Sequence, residues 1–354
     1  MSKIFKQLTK RETVGILNVE IPRSILQRPQ KPSIYDIGGE KRVSSCLGCL
    51  NPRCMKFSPA ELQIDTEQFA DFPLDLNDSV CPLGAIIWEK DSLTPRIIQD
   101  QCINCGICAR RCPFGAIFSK GEVAVIHSGE KEISFVEANM QNKEAQNTQI
   151  ASLLECHHRG QYLIPSECSI SNLYDRLDQI NTEAQFPNLI VRNLFLVLGN
   201  RCIIRRRGDV YLRIDAIITD KSSVGIAEVD FHKDSLEGPR AILDDIAVLS
   251  SRYQISKDAI IPFIISLEFP SRRTEYWRVI KDISKVLKIK IHSLTLGALC
   301  VLVWSNMDVF ISNVDFFADS SSPSIREKVL KHLGLTIGPS ELAAASYAVF
   351  APKR

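Results

Sequence analysis

Apolar positions change their spacing along this chain. Up to about residue 140 the apolar stretches are short and broken by proline, glycine and cysteine; beyond about residue 185 they are long and alternate between helical and strand periods. FPNLIVRNLFLVLGN (186–200) predicts an apolar helix that starts near Pro187 and stops at Gly199. DVYLRIDAIITD (209–220) and VGIAEVDF (224–231) predict two strands, with Lys221-Ser222-Ser223 between them. PRAILDDIAVLSSRY (239–253) has the pattern of an amphipathic helix, AIIPFIISLEF (259–269) that of a buried strand, and TEYWRVIKDISKVLKI (274–289) that of another helix. KIHSLTLGALCVLVW (290–304) fits a further strand, or a short helix and a strand. The order helix, strand, strand, helix, strand, helix, strand predicts an α/β layer.

The flanks are simpler. VGILNVEI (14–21) is the best early strand, and GEVAVIHSGEKEISFVE (121–137) predicts a hairpin around Ser128-Gly129-Glu130. MQNKEAQNTQ (140–149) has almost nothing to bury and marks a linker, and SISNLYDRLDQI (169–180) predicts a helix. The tail predicts a helix in SSSPSIREKVLKHLG (320–334) and another in PSELAAASYAVF (339–350), both for packing or partner contact. The expected organisation is a cysteine-bearing domain over 1–140, a linker and helix over 141–184, an α/β domain over 185–310 and a helical tail over 311–354.

A formal net charge of +2 argues neither for nor against nucleic acid, so any basic surface must be local. The most apolar run, LTLGALCVLVW (294–304), is too short to span a bilayer, and MSKIFKQLTKRE lacks the core of a secretory signal. No membrane association is expected. Eight of the twelve cysteines fall in metal-ligand spacing within the first third of the chain, which points to a reducing cytoplasm rather than to disulfides.

CINCGICARRCP (102–113) places Cys102, Cys105 and Cys108 three residues apart, with Cys112 directly before Pro113. Upstream, SSCLGCLNPRCMKF carries Cys46, Cys49 and Cys54, and SVCPLGAIIW puts Cys81 before Pro82. SVCPLGAII and RRCPFGAIF make the two halves an internal repeat. A cubane cluster needs four converging thiolates, and in the bacterial run the cysteine before proline ligates the other cluster. Crossing the two halves gives one set of Cys46, Cys49, Cys54 and Cys112, and another of Cys102, Cys105, Cys108 and Cys81. Zinc is the alternative, but it needs neither a cysteine triplet nor a duplicated Cys-Pro.

Over residues 44–120 this pattern resembles the bacterial-type two-cluster ferredoxins. The resemblance implies an α+β ferredoxin-like domain with two [4Fe–4S] clusters and a redox partner protein. The chain departs from it in the longer second gap of the first triplet and in the insertion FSPAELQIDTEQFADFPLDLNDSV (57–80), which is expected to add a helix and a loop. Cys156, His157, His158 and Cys168 also form a cluster, but adjacent histidines do not readily face one ion, and packing is the reading preferred.

A hairpin centred on Lys221 and Ser222 would place Asp215 opposite Glu228, Arg213 opposite Asp230, and Ile217 opposite Ile226 on one face. The other face, with Leu212, Ile214, Ala216 and Ile218 against Phe231, Val229, Ala227 and Gly225, belongs to a core. Three carboxylates side by side are destabilising unless a cation lies between them or one is protonated; Mg²⁺ would fit. A cross-strand Arg213–Asp230 ion pair is the plainer alternative.

Residues 185–305 resemble the PD-(D/E)XK nuclease superfamily, whose core is a hairpin with Asp on the first strand and Glu-x-Lys on the second, followed by a helix and further strands. The resemblance implies an α/β restriction endonuclease-like domain, with Asp215, Glu228 and Asp230 as catalytic and Mg²⁺-binding residues acting on DNA. Ile214 stands where proline is frequent, and Asp230 where lysine is expected; Lys221 or Lys233 would be the displaced ammonium. Arg201, Arg205, Arg206 and Arg207, with Arg272 and Arg273, are expected phosphate contacts. The reading is an iron–sulfur protein with a Mg²⁺-dependent nuclease-like domain in defence or repair. The alternatives are an electron-transfer protein with a partner-docking domain and a non-catalytic, redox-sensitive DNA-binding protein.

Overall fold

The computed structural model describes residues 33–37, 40–44, 52–64, 67–89, 94–112, 117–120, 123–126, 162–232, 237–313, 317–333 and 347–353. The expected strand at 14–21, Cys46, Cys49, the linker at 140–149, residues 156–158 and Lys233 lie outside them. The chain divides into two compact units: residues 1–56 with 84–163, and residues 57–83 with 164–354.

The first unit is built of antiparallel ribbons. Strand β1 (Ser33–Ile37) pairs with β2 (Glu40–Ser44), β3 (Ile86–Glu89) with β4 (Thr94–Ile97), and β5 (Ile117–Lys120) with β6 (Val123–Ile126). A one-turn helix, α1 (Ile107–Arg111), lies between the second and third ribbons. Ile86, Ile103, Ile107, Ile117 and Ala124 are its buried core. The expected turn at 128–130 lies outside the described residues.

The second unit is a mixed α/β layer. After α2 (Glu167–Gln179) and α3 (Phe186–Val197) come β7 (Arg201–Ile204), β8 (Ala216–Thr219) and β9 (Val224–Asp230), then α4 (Gly238–Arg252), β10 (Ile260–Ser266), α5 (Glu275–Leu287), β11 (His292–Thr295), α6 (Leu296–Trp304) and α7 (Arg326–His332). The five strands order as β11-β10-β9-β8-β7. Strands β7, β8 and β9 form an antiparallel meander, whereas β10 and β11 run parallel to β9. Phe195 of α3 meets the ring of Phe263, and Gly238 of α4 lies against Ile264. Adjacent strand residues point to opposite faces, so these helices cover the two sides of the sheet.

The register expected for the hairpin is present, with Ile217 paired to Ile226. One other expectation needs correction. The strand expected over 209–220 begins only at Ala216. Before it, Asp209 caps a turn by accepting from the N–H groups of Tyr211 and Leu212, which takes that backbone out of the ladder. The basic stretch after Asn200 opens with strand β7. All of β8 is buried.

Among its described residues the insertion at 57–80 holds a 3₁₀ turn at Glu67–Phe69 and no α-helix, and it groups with the second unit. Its residues 73–75 bond to the β7 edge, where Asp75 N–H donates to the Ile204 carbonyl and Arg206 N–H to the Pro73 carbonyl. An exposed edge is thereby covered. Helix α3 is buried nearly all round, and its polar positions have internal partners. Arg192 Nη2 donates to the Asn77 carbonyl at 2.7 Å, and Asn193 Nδ2 donates to the Ser79 and Val80 carbonyls at 2.9 and 3.1 Å. The tail helix forms at α7; of the second expected tail helix, residues 347–350 are described and are not helical.

Candidate functional site

Two groups of residues carry chemistry. In the first unit, Cys102 ends a 3₁₀ turn and donates its N–H to the Gln99 carbonyl at 3.2 Å. Asn104 and Gly106 on either side of Cys105 have φ of 60° and 83°, which curls the backbone into a tight loop. Asparagine tolerates that region better than most residues, and glycine has no penalty there. The buried Asn104 side chain is held by a hydrogen bond from the Tyr162 hydroxyl. Cys108 lies in α1, and Cys112 caps its end with an N–H bond to the Ala109 carbonyl.

Cys102, Cys105 and Cys108 are half-buried, whereas Cys54 and Cys112 are fully buried. Arg111 donates from Nε to the Arg53 carbonyl at 2.7 Å and from Nη2 to the Lys56 carbonyl at 3.2 Å. The residue before Cys112 is therefore tied to both sides of Cys54. Among the described residues no three Cys, His, Asp or Glu side chains close around a single-ion position. Thiolates of a cubane bind different iron corners and stand further apart than ligands of one ion, so the loop still suits the larger group.

The second group is an acidic pocket in the second unit. Asp215 stands just before β8, where the ladder ends at Ala216 and Ala227. Its Oδ2 accepts the Val229 N–H at 3.1 Å, its Oδ1 accepts from Asn188 Nδ2 at 3.0 Å, and Arg205 Nη2 lies 3.5 Å from Oδ1. Burial raises its pKa, and these donors oppose the rise. Glu228 is pushed up to about 8 by burial and then by the charges of Asp215, Asp245 and Asp230. Asp230 Oδ1 accepts from the His232 N–H at 2.9 Å and contacts His232 Nδ1 at 2.7 Å. The Asp230 partner seen is thus His232 and not Arg213.

Sequence reasoning missed Asp245 of α4, which is 2 % exposed, with no hydrogen-bond partner for Oδ2. Burial, then Asp215 and Asp244, push its pKa up to about 7. The signal was present, since Asp245 falls three residues after Ile242 and four before Leu249, inside the apolar stripe of its helix.

Of the expected phosphate contacts only Arg205 is drawn inward, while Arg201, Arg206, Arg207, Arg272 and Arg273 are exposed. Arg205 turns inward to Asp215 and to the Leu212 carbonyl at 3.0 Å, Arg201 donates to the Ala60 carbonyl at 2.8 Å, and Arg207 pairs with Glu183 at 2.8 Å. Lys221 lies in the turn of the hairpin, away from the Asp215 end. Cys168 is exposed on α2. No described helix is long and apolar enough to cross a membrane.

The 4Fe-4S binding domain family matches residues 95–118. An uncharacterised ferredoxin of Methanocaldococcus jannaschii is 31% identical over 118 residues, 29% of this chain and 62% of that protein. A selenate reductase subunit of Mesobacillus selenatarsenatis is 33% identical over 118 residues, 32% of each chain. A second uncharacterised M. jannaschii ferredoxin is 46% identical over 43 residues, 12% of this chain and 56% of its own length. The chain thus spans between a third and two thirds of these relatives. No solved structure matches it significantly. The loop and these likenesses together give the chain a ferredoxin-type [4Fe–4S] module.

Proposed function

We propose that this protein is a ferredoxin-type electron carrier with two [4Fe–4S] clusters and that it serves a redox partner protein. Cys102, Cys105 and Cys108 with Cys81 would hold one cluster, and Cys46, Cys49 and Cys54 with Cys112 the other. The observation that carries this reading is the cysteine loop of residues 102–112, with left-handed Asn104 and Gly106 around Cys105. The tie from Arg111 to the carbonyls on either side of Cys54 supports the crossed pairing of Cys54 with Cys112. One relative is named as a reductase subunit, which supports a partner of that class.

When bound, such a cluster accepts and returns single electrons. The protein contributes thiolate ligands, a loop held by Tyr162 and Asn104, and burial of Cys54 and Cys112. The test is a dye-mediated potentiometric titration of the anaerobically purified full chain, followed by visible absorbance. Reversible bleaching at low potential is expected; clusters that are retained but do not take up electrons reversibly would overturn the reading.

A second reading keeps the nuclease-like domain, and one observation favours it. A hairpin followed by a helix and further strands is the succession that the PD-(D/E)XK resemblance implies, and β8, β9, α4, β10 and β11 follow it, with Asp215 just before β8 and Glu228 on β9 at one end of the hairpin. Mg²⁺ at Asp215, Glu228 and Asp230 would then serve cleavage of DNA. Cleavage of plasmid DNA in Mg²⁺ or Mn²⁺, lost in Asp215→Ala and Glu228→Ala, is the expected result; uncut DNA, or cutting by both variants, removes this reading.

A further inference from the structure

We propose that Glu228 of β9 and Asp245 of α4 together bind one divalent cation of the magnesium or manganese class. This site differs from the set of Asp215, Glu228 and Asp230 expected from the sequence. It concerns cation binding alone, and it shares Glu228 with the nuclease-like reading while leaving out Asp215 and Asp230.

The assignment follows from which carboxylate oxygens are already engaged. Asp215 has donors on both oxygens: Val229 N–H on Oδ2, and Asn188 with Arg205 on Oδ1. Asp230 receives both the backbone and the ring of His232 on Oδ1. Asp245 Oδ2 is fully buried with no donor, although a buried charge without a partner is costly. Glu228 is half-buried, and among the described residues no hydrogen bond reaches its carboxylate. Asp245 is among the charges that act on Glu228, and the two elements that carry them pack together.

Charge balance points the same way. Asp215, Glu228 and Asp245 face Arg205, which already serves Asp215 and the Leu212 carbonyl. Arg213 acts on Asp245, but its side chain is exposed to solvent. These three carboxylates, with the charge of Asp230 beside them, leave at least two negative charges against one inward guanidinium, which a divalent cation would offset. Magnesium-class ions need only one or two carboxylates and keep several waters, so two carboxylates suffice. Two bound protons are the competing means of neutralisation.

The test uses the full chain, purified anaerobically, freed of divalent ions with a chelator and titrated with Mn²⁺ by calorimetry. One saturable site is expected. Glu228→Gln and Asp245→Asn should each weaken it by about tenfold or more, and Asp230→Asn by no more than about threefold. Mn²⁺ should also raise the melting temperature of the parent protein but not that of Asp245→Asn, whose isosteric amide relieves repulsion and keeps the fold. Visible absorbance of the clusters, unchanged across the variants, separates this outcome from failure of the iron–sulfur reading. No saturable Mn²⁺ site, or undiminished affinity in Asp245→Asn, would overturn the proposal and leave shared protons as the neutralising charge.

Discussion

Arg111 Nε donates to the Arg53 carbonyl at 2.7 Å, joining residues 58 positions apart in the chain. The same guanidinium reaches the Lys56 carbonyl, so one side chain brackets the turn that carries Cys54 from the helix that ends at Cys112. Arg111→Met keeps the stem and removes both donors. It is expected to loosen the set that contains Cys54 and Cys112, with iron per chain falling toward half while the other cluster remains. Colorimetric iron assay and visible absorbance check this; undiminished iron after exposure to air would remove the role given to Arg111.

The helices and the central strands were legible because their periodicities are strong. Helices α3, α4 and α5 and strands β9 and β10 lie close to where apolar spacing put them, and Gly199 has a left-handed φ of 99° just past the end of α3. Strand β7 was hidden because RCII opens an arginine-rich run, and its edge is paired by residues 73–75 from far upstream. The cysteine loop of residues 102–112 was legible from spacing alone, since its chemistry is local. The acidic pocket was only half legible. Strand alternation pointed to Asp215 and Glu228, whereas Asp245 arrives by tertiary packing of a helix that looked ordinary apart from one charge in its apolar stripe.

Asn193 is fully buried and donates to two carbonyls just before Cys81. Asn193→Leu leaves both acceptors unsatisfied in an apolar setting. A loss of about 2–4 kcal/mol is expected from chemical denaturation. A loss below about 0.5 kcal/mol would show that water reaches those carbonyls.

Gly225 lies in β9 where a Cβ would meet Phe263 Cε2 at 2.8 Å and the Ile261 carbonyl oxygen at 3.1 Å. Gly225→Ala forces the ring or the neighbouring strand to move. Destabilisation of about 1–3 kcal/mol is expected, measured as a fall in melting temperature; an unchanged or higher value would contradict the close approach of β9 to β10.

His292 is 3 % exposed, packed against Phe263 and Phe317, and its Nδ1 has no hydrogen-bond partner. Burial, then Lys290, pushes its pKa down to about 4 from the ordinary 6.5. Above pH 6.5 the ring is neutral whether the chain is folded or unfolded, and it adds no pH dependence. Below that the unfolded chain takes up the proton first, so stability falls as pH drops from 6.5 toward 4, by up to roughly 3 kcal/mol. Urea unfolding at several pH values should show a flatter acid limb in His292→Phe than in the parent protein; identical limbs would refute the assignment.

The most direct test of the central claim is the iron and acid-labile sulfide content of the anaerobically purified full chain, compared with Cys112→Ser and Cys105→Ser. Two crossed clusters predict about eight irons per chain in the parent protein and about four in each variant. About four irons in the parent protein, unchanged in Cys112→Ser, would contradict the account.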